Sequence, residues 1–303
     1  MNILSINGLD KSFGHIHAVR KLNLEVGKGQ IYGILGPNGS GKTTTLAMVL
    51  GIVRMDGGSF KWFGEESGPA QNMKIGSLLE SPNFYPYLNL IENLKIVCRI
   101  KGIPDAEIFR VLEVVGLLER QKSKFQTMSY GMKQRLAIAS VLMGDPEVLV
   151  FDEPANGLDP EGIAEVRKIV RQEADKGKTI IMASHILDEV EKVCTHVAIL
   201  RKGEVLKSGE VGSLLKTEIL MVLSADDMSG LENQLRISNV ATSIEKIGDE
   251  LHIILREGLT PGELNKSMVS EGIALTKMEV HKQSLEEQFL ELLKQADEKG
   301  GQV

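Results

Sequence analysis

Residues 36–44 read Gly36-Pro37-Asn38-Gly39-Ser40-Gly41-Lys42-Thr43-Thr44, a glycine-rich segment that ends in a lysine and two threonines. An apolar run at 31–35 precedes it and a helix-forming run at 45–50 follows it. Strand, glycine-rich loop and helix form the context in which G-x-x-x-x-G-K-[ST] is a phosphate site. The glycines let backbone N–H groups face a phosphate, Lys42 reaches the β- and γ-phosphates, and the Thr43 hydroxyl ligates Mg²⁺. The stretch therefore predicts binding of a nucleoside triphosphate.

Composition limits the remaining possibilities. A length of 303 residues predicts one large and one small domain, and 42% hydrophobic with 25% charged residues is ordinary for a globular protein. With neither a membrane-length apolar run nor a signal-peptide pattern, we expect a cytosolic protein that reaches a membrane only through another subunit. A net charge of -6 gives no support for nucleic-acid binding, so no nucleic-acid partner is expected. Cys98 and Cys194 lack ligand-like spacing and are interpreted as free thiols.

Strand and helix patterns surround the phosphate loop. Residues 3–9 and 22–26 alternate like antiparallel strands, with Phe13 between them as either a core residue or a platform for a purine ring. Residues 86 to about 140 have helical character and predict an insert between strands of the nucleotide-binding sheet. The aromatic stretch 82–87 at its entrance fits either local packing or a partner-binding edge.

Carboxylates follow a second buried strand. The hydrophobic strand pattern that begins at Glu147 has its apolar run at 148–151 and ends on Asp152 and Glu153, which suit Mg²⁺ coordination and activation of a water molecule. His185 follows the buried strand 179–184; alone it would fit a structural histidine, but its place after a parallel strand favours the site. Ser129 and Gly131 open a helix whose first amides could meet an anion.

In this order the motifs resemble the ATPase subunits of ATP-binding-cassette (ABC) transporters. The resemblance covers residues 1 to about 215 and implies an α/β P-loop NTPase with a mixed-sheet core, an antiparallel β subdomain and a helical insert. It implies a head-to-tail dimer holding two ATP molecules, each between Lys42 of one copy and Ser129 and Gly131 of the other. The implied nucleotide-binding residues are Phe13, Gly36, Asn38, Gly39, Ser40, Gly41, Lys42, Thr43, Thr44, Ser129, Gly131 and Asp159. Asp152 and Thr43 would hold Mg²⁺, Glu153 would act on the attacking water, and His185 would contact the γ-phosphate.

Two departures from the family pattern narrow the resemblance. The signature, usually Leu-Ser-Gly-Gly-Gln, is here Met128-Ser129-Tyr130-Gly131-Met132. Glu80 stands where the family has a glutamine beside the metal site, so it is a candidate metal ligand that the γ-phosphate would repel. Both features look like exporters of bacitracin- and lantibiotic-type peptides. The resemblance thus implies an ATPase on the cytoplasmic face of the membrane, held by a membrane-spanning permease, that exports antimicrobial peptides, drugs or related amphiphiles.

The chain after residue 216 predicts a separate domain. Strand and helix patterns over 217–303 fit a small α+β domain of order β-α-β-β-α-β, with a capping box at Ser284 opening a last helix. We expect residues 1–216 to form the ATP-binding domain. The alternative function is a soluble ATPase of the same superfamily, acting in DNA repair or on ribosomes. Repair members have a long coiled coil before the signature, and no sustained heptads occur here. A kinase or GTPase would leave Ser129, Asp159 and His185 unexplained.

Overall fold

The structure of the protein is a computed structural model that describes residues 1–66, 68–79, 83–214, 219–256, 258–282 and 289. The chain divides into two units, Met1–Leu214 and Leu215–Val303. Among the described residues, no helix combines the length and the apolar character needed to cross a bilayer.

Strands and helices alternate through the first unit. They are β1 (Asn2–Phe13), β2 (Ile16–Gly27), β3 (Ile31–Leu35), α1 (Lys42–Val49), β4 (Gly57–Trp62), β5 (Glu65–Glu66), α2 (Pro69–Asn72), β6 (Ile75–Leu78), α3 (Leu90–Lys101), α4 (Glu107–Val114), α5 (Tyr130–Leu142), β7 (Val148–Asp152), α6 (Pro160–Asp175), β8 (Thr179–Ser184), α7 (Leu187–Val193), β9 (His196–Arg201), β10 (Glu204–Glu210) and α8 (Val211–Leu214). Two short 3₁₀ helices, Leu118–Arg120 and Phe125–Thr127, lie between α4 and α5.

The central sheet brings the predicted site residues to one edge. Within the described residues it has six strands in the order β10-β9-β3-β8-β7-β6, and β10 alone is antiparallel to its neighbour. Strands β3, β7 and β8 are buried along their whole length, as expected of parallel strands covered on both faces. Their carboxyl ends meet at the same edge, where ligands bind in open α/β sheets. The predicted mixed-sheet core is confirmed.

The antiparallel subdomain is also confirmed, with longer strands than predicted. It has the order β2-β1-β4-β5 within the described residues, and β1 pairs with β2 from Asn2 to Phe13. Four register shifts interrupt this pairing, so the apolar–polar alternation revealed only part of each strand. Trp62 of β4 is fully buried in the core beneath this sheet, and its Nε1 donates to Val49 O at 2.8 Å.

The predicted helical insert consists of α3, α4 and α5, which lie between β6 and β7. Asn89 and Glu92 form a capping box that satisfies backbone N–H groups at the start of α3. Gly102 ends the helix in the left-handed conformation, φ 67°.

The second unit has the predicted β-α-β-β-α-β order over its described residues. Its elements are β11 (Ile219–Ala225), α9 (Met228–Ser238), β12 (Ala241–Ile247), β13 (Glu250–Leu255), α10 (Pro261–Ser270) and β14 (Leu275–Lys282). The strands form an antiparallel sheet in the order β12-β13-β11-β14, which is a ferredoxin-like arrangement. Its core joins Met221 and Leu223 of the sheet to Leu231 and Leu264 of the two helices. The helix predicted from Ser284 lies outside the described residues, apart from Phe289.

Candidate functional site

The phosphate loop connects β3 to α1, and its tight path requires glycine at two positions. A Cβ atom on Gly36 would lie 2.4 Å from Leu200 O. Gly41 has φ 102°, and a Cβ atom there would lie 2.6 Å from Ala18 O. Lys42 begins α1 directly after this turn, so the N–H groups of the first helical turn, which have no intrahelical partner, lie at the loop. Asn38, Gly39, Ser40 and Thr44, also predicted to bind nucleotide, belong to this segment.

Lys42, Glu153 and His185 lie close together, although they follow three different strands, β3, β7 and β8. The Lys42 ammonium donates to Gly36 O at 2.7 Å and lies 3.3 Å from Glu153 Oε1. His185 Nδ1 lies 2.7 Å from the other carboxylate oxygen, Oε2. One carboxylate thus contacts both a cation and an imidazole, a combination able to orient a water molecule and to stabilise developing phosphoryl charge.

Thr43 and Asp152 form a second polar pair at the same edge. Thr43 Oγ1 donates to Asp152 Oδ2 at 2.6 Å, and Asp152 is 5% exposed. A hydroxyl and a carboxylate are hard oxygen ligands that suit Mg²⁺. The described residues contain no cluster of three or more His, Cys, Asp or Glu able to hold a metal, but Mg²⁺ bound through nucleotide phosphates needs only one or two protein ligands. These residues therefore fit Mg²⁺. Glu80, the third predicted ligand, lies outside the described residues.

Glu153 has an unusual backbone conformation. Its φ of 49° lies in the left-handed region, which is uncommon for a residue with a side chain. Its N–H donates to Ala183 O of β8 at 3.0 Å, which continues the β7–β8 pairing by one residue. Such strain persists only where surrounding structure holds it, and it concentrates at functional sites.

Sequence reasoning missed a buried carboxylate behind His185. Glu189 of α7 is 4% exposed and accepts from Ser184 Oγ at 2.8 Å, and Ser184 Oγ in turn accepts from Ile186 N at 3.0 Å. Burial raises the pKa of Glu189, and the hydrogen bond from Ser184 offsets part of this effect. These two hydrogen bonds fix the residues on either side of His185, Ser184 and Ile186. A polar residue among the apolar positions of α7 was the available signal in the sequence.

Ser129, Gly131 and Asp159 gather in a separate groove. Ser129 caps α5 by accepting from Met132 N at 3.3 Å, and Asp159 caps α6 by accepting from Gly162 N at 2.8 Å. Among the described residues that line this groove, none belongs to the phosphate loop. One chain therefore presents two distinct sets of predicted nucleotide-binding residues.

Phe13, the predicted purine platform, ends β1. The residue is 48% exposed, so it is not a core residue of the hairpin. Lys11 Nζ lies 5.2 Å from the ring centroid, a cation–π contact.

Comparisons with known proteins assign the family. The model of the family described as ABC transporter matches residues 19–156. The bacitracin transport ATP-binding protein BcrA of Bacillus licheniformis is 37% identical over 306 aligned residues, covering 96% of this chain and 97% of the relative. The lantibiotic transport ATP-binding protein SrtF of Streptococcus pyogenes is 38% identical, covering 69% of this chain and 91% of the relative. A crystal structure of an ATP-binding cassette of an ABC transporter in its ADP conformation matches at TM-score 0.63 and 26% identity, covering 69% and 91% of the two chains. This chain belongs to the ABC transporter family of ATP-binding proteins. It is an ATPase that binds adenine nucleotides, and the resemblance to the bacitracin and lantibiotic group is confirmed.

Proposed function

We propose that this chain is the ATP-hydrolysing subunit of a bacterial membrane exporter that moves antimicrobial peptides, drugs or related amphiphiles. Relatives named for bacitracin and lantibiotic transport support this substrate class. The similarity to BcrA extends over 96% of this chain, so it includes the second unit. The two-domain organisation belongs to the proposal: residues 1–216 bind ATP, and 217–303 form an accessory domain.

One observation carries the catalytic part of the proposal: Lys42, Glu153 and His185 meet beside the Thr43–Asp152 pair. Lys42 neutralises the β- and γ-phosphates, the loop amides bind their oxygens, and Phe13 stacks on adenine. Glu153 orients the attacking water and His185 contacts the γ-phosphate. Thr43 and Asp152 hold Mg²⁺, which when bound neutralises charge on the phosphate oxygens.

The separation of the two residue sets supports a head-to-tail dimer. Among the described residues that line the groove of Ser129, Gly131 and Asp159, none belongs to the phosphate loop, so a single chain encloses ATP on one side only. In the dimer, Ser129 and Gly131 of one copy cover the nucleotide held by Lys42 of the other, and Asp159 organises the interface.

A membrane-spanning permease holds the dimer at the cytoplasmic face of the membrane. The entrance to the helical insert offers an exposed aromatic edge for this partner. Tyr85 and Tyr87 are 50% and 61% exposed, and their ring centroids lie 5.9 Å apart. Exposed tyrosines are effective interface anchors because little side-chain entropy is lost when they bind.

ATP turnover and assembly test the enzymatic part. The full chain should hydrolyse ATP at a rate per molecule that rises with protein concentration, as expected if only the dimer is active. Glu153→Gln should abolish turnover and accumulate a dimer with ATP but not with ADP, measured by light scattering. Turnover that is independent of concentration, together with a monomeric variant in ATP, would contradict the dimer.

Co-purification and resistance assays test the exporter part. Tagged chain, captured from detergent-solubilised membranes of its native host, should bring a stoichiometric multi-span protein with it. Co-expression with that partner should raise the minimal inhibitory concentration of a peptide antibiotic in a sensitive host, and the Glu153→Gln complex should not. Capture of ribosomes or DNA-repair proteins instead would favour the soluble ATPase.

A further inference from the structure

A buried amide side chain joins α5, the helix that begins after Ser129 of the signature, to the turn that follows Glu153. Gln134 of α5 is 3% exposed, and its Nε2 donates to Pro154 O at 2.8 Å. Buried polar groups in native structures are nearly always hydrogen-bonded, and loss of one partner leaves the other unsatisfied. The bond therefore links α5 specifically to the residue after Glu153.

The position of the acceptor gives this bond its importance. Glu153 has a positive φ of 49°, and its N–H donates to Ala183 O of β8 at 3.0 Å. The hydrogen bond from Gln134 holds the other side of the same turn. Glu153 is thus held by two elements: β8 binds its own N–H group, and α5 binds the carbonyl oxygen of the next residue.

The first turn of α5 lies close to the same segment at a second place. A Cβ atom on Gly157 would lie 3.4 Å from Tyr130 Cε1, and one on Gly131 would lie 3.8 Å from Leu158 Cδ2. Helix α5 therefore bonds to the segment after Glu153 at Pro154 and lies beside it at residues 157–158.

We propose that Gln134 is a positioning residue for Glu153. Its hydrogen bond to Pro154 sets the direction of the Glu153 carboxylate and ties it to the helix that begins at Ser129. The inference rests on the proposed function, in which Glu153 acts on the attacking water. In the proposed dimer, Ser129 covers the nucleotide of the partner, so α5 would link the two nucleotide sites through Gln134.

Removal of the Gln134 donor tests whether this residue affects ATP hydrolysis without affecting ATP binding. Gln134→Leu keeps much of the buried volume but leaves Pro154 O without its donor. We expect kcat for ATP to fall about ten- to hundredfold, because a shift of about 1 Å in a reacting group has that effect. The Kd for ATP should stay within about twofold, because Lys42 and the phosphate loop are unchanged. The matched control is Gln172→Leu on α6, where the glutamine is exposed.

A second variant tests the hydrogen bond itself. In Gln134→Glu, the protonated carboxyl group can donate to Pro154 O, whereas the ionised form repels this oxygen. Burial favours the protonated form. The ratio of kcat of Gln134→Glu to that of Gln134→Leu should therefore rise as pH falls from 9 to 6. Asp152, Glu153 and His185, the titratable groups at the same sheet edge, are present in both variants, so their own titration affects both values of kcat.

The outcomes separate the two hypotheses. A lower kcat with unchanged ATP Kd in Gln134→Leu, and a kcat ratio that rises as pH falls, support a positioning role. Unchanged kcat, a flat ratio, or parallel losses of kcat, ATP binding and thermal stability would overturn it. The proposed function is judged independently by wild-type turnover and by its loss in Glu153→Gln.

Discussion

Glu153→Gln should tighten ATP binding while it stops hydrolysis. In the structure Lys42 contacts the Glu153 carboxylate, so the ammonium must leave this partner to neutralise a phosphate. A neutral amide holds Lys42 less strongly and does not repel the γ-phosphate. The substitution therefore removes a competitor for the phosphate-binding cation. It also removes the group that acts on water, which typically contributes about 10²- to 10⁴-fold to the rate.

The size of the affinity gain follows from the geometry. Lys42 Nζ lies 3.3 Å from Glu153 Oε1, and the two side chains are 5% and 19% exposed. At an effective dielectric constant of about 20, the attraction at this distance is about 5 kcal/mol. Desolvation offsets most of it and leaves a net contribution on the order of 1.4 kcal/mol, equivalent to about tenfold in Kd.

Titration of full-length chain with a fluorescent ATP analogue measures the change. We expect a Kd about tenfold lower for Glu153→Gln than for wild type, and a smaller gain for the ADP analogue, which lacks the γ-phosphate. The control is Glu191→Gln, an exposed carboxylate of α7. An unchanged or higher Kd for ATP would refute the idea that Glu153 competes with nucleotide for Lys42.

Three further predictions use features around the site. Burial raises the pKa of Glu189 in the folded protein above its value in the unfolded chain. The free energy of unfolding therefore falls as the pH rises from the unfolded-state pKa through the folded-state pKa, because the buried carboxyl group must then ionise. Glu189→Gln should accordingly raise Tm at pH 8, by about 2–4 °C for each kcal/mol gained in the free energy of unfolding. In scanning fluorimetry, the difference in Tm between the variant and wild type should narrow towards pH 4. A difference that stays constant with pH would contradict this. Gly41→Ala should abolish nucleotide binding because its Cβ atom would lie 2.6 Å from Ala18 O, whereas Gly8→Ala, with nothing within 4 Å of its Cβ atom, should keep it. Cys98 and Cys194 should react with a thiol reagent only after unfolding, because both are buried and the pKa of Cys194 is raised to about 12; fast reaction of the native chain would contradict their burial.

Local patterns predicted the residues that terminate buried strands. The phosphate loop, Asp152 with Glu153, and His185 each follow an apolar run, and the rule that parallel strands end at one edge brings them together. The sequence also predicted the strand and helix order of the second unit, since its alternating and capped segments are separated by turn residues.

Other features depend on contacts between distant segments. The 2.8 Å bond from Gln134 to Pro154 joins residues 20 positions apart, and no periodicity identifies the acceptor of a buried amide. The strained backbone of Glu153 is equally invisible in the sequence, because Glu seldom adopts positive φ. The full length of β1 was missed because register shifts break the two-residue repeat.

The strand order of the second unit gives it a modular connection. Among the strands that the structure describes, the first and last of this unit are neighbours, and Ile219 of β11 pairs with Lys282 of β14. The start of β11 and the end of β14 thus lie side by side in the sheet. A sheet that begins and ends at adjacent points can be grafted or swapped between homologous chains without a change in the order of its strands. Evolution can therefore exchange the second unit between related chains while the sheet that carries the catalytic residues stays unchanged.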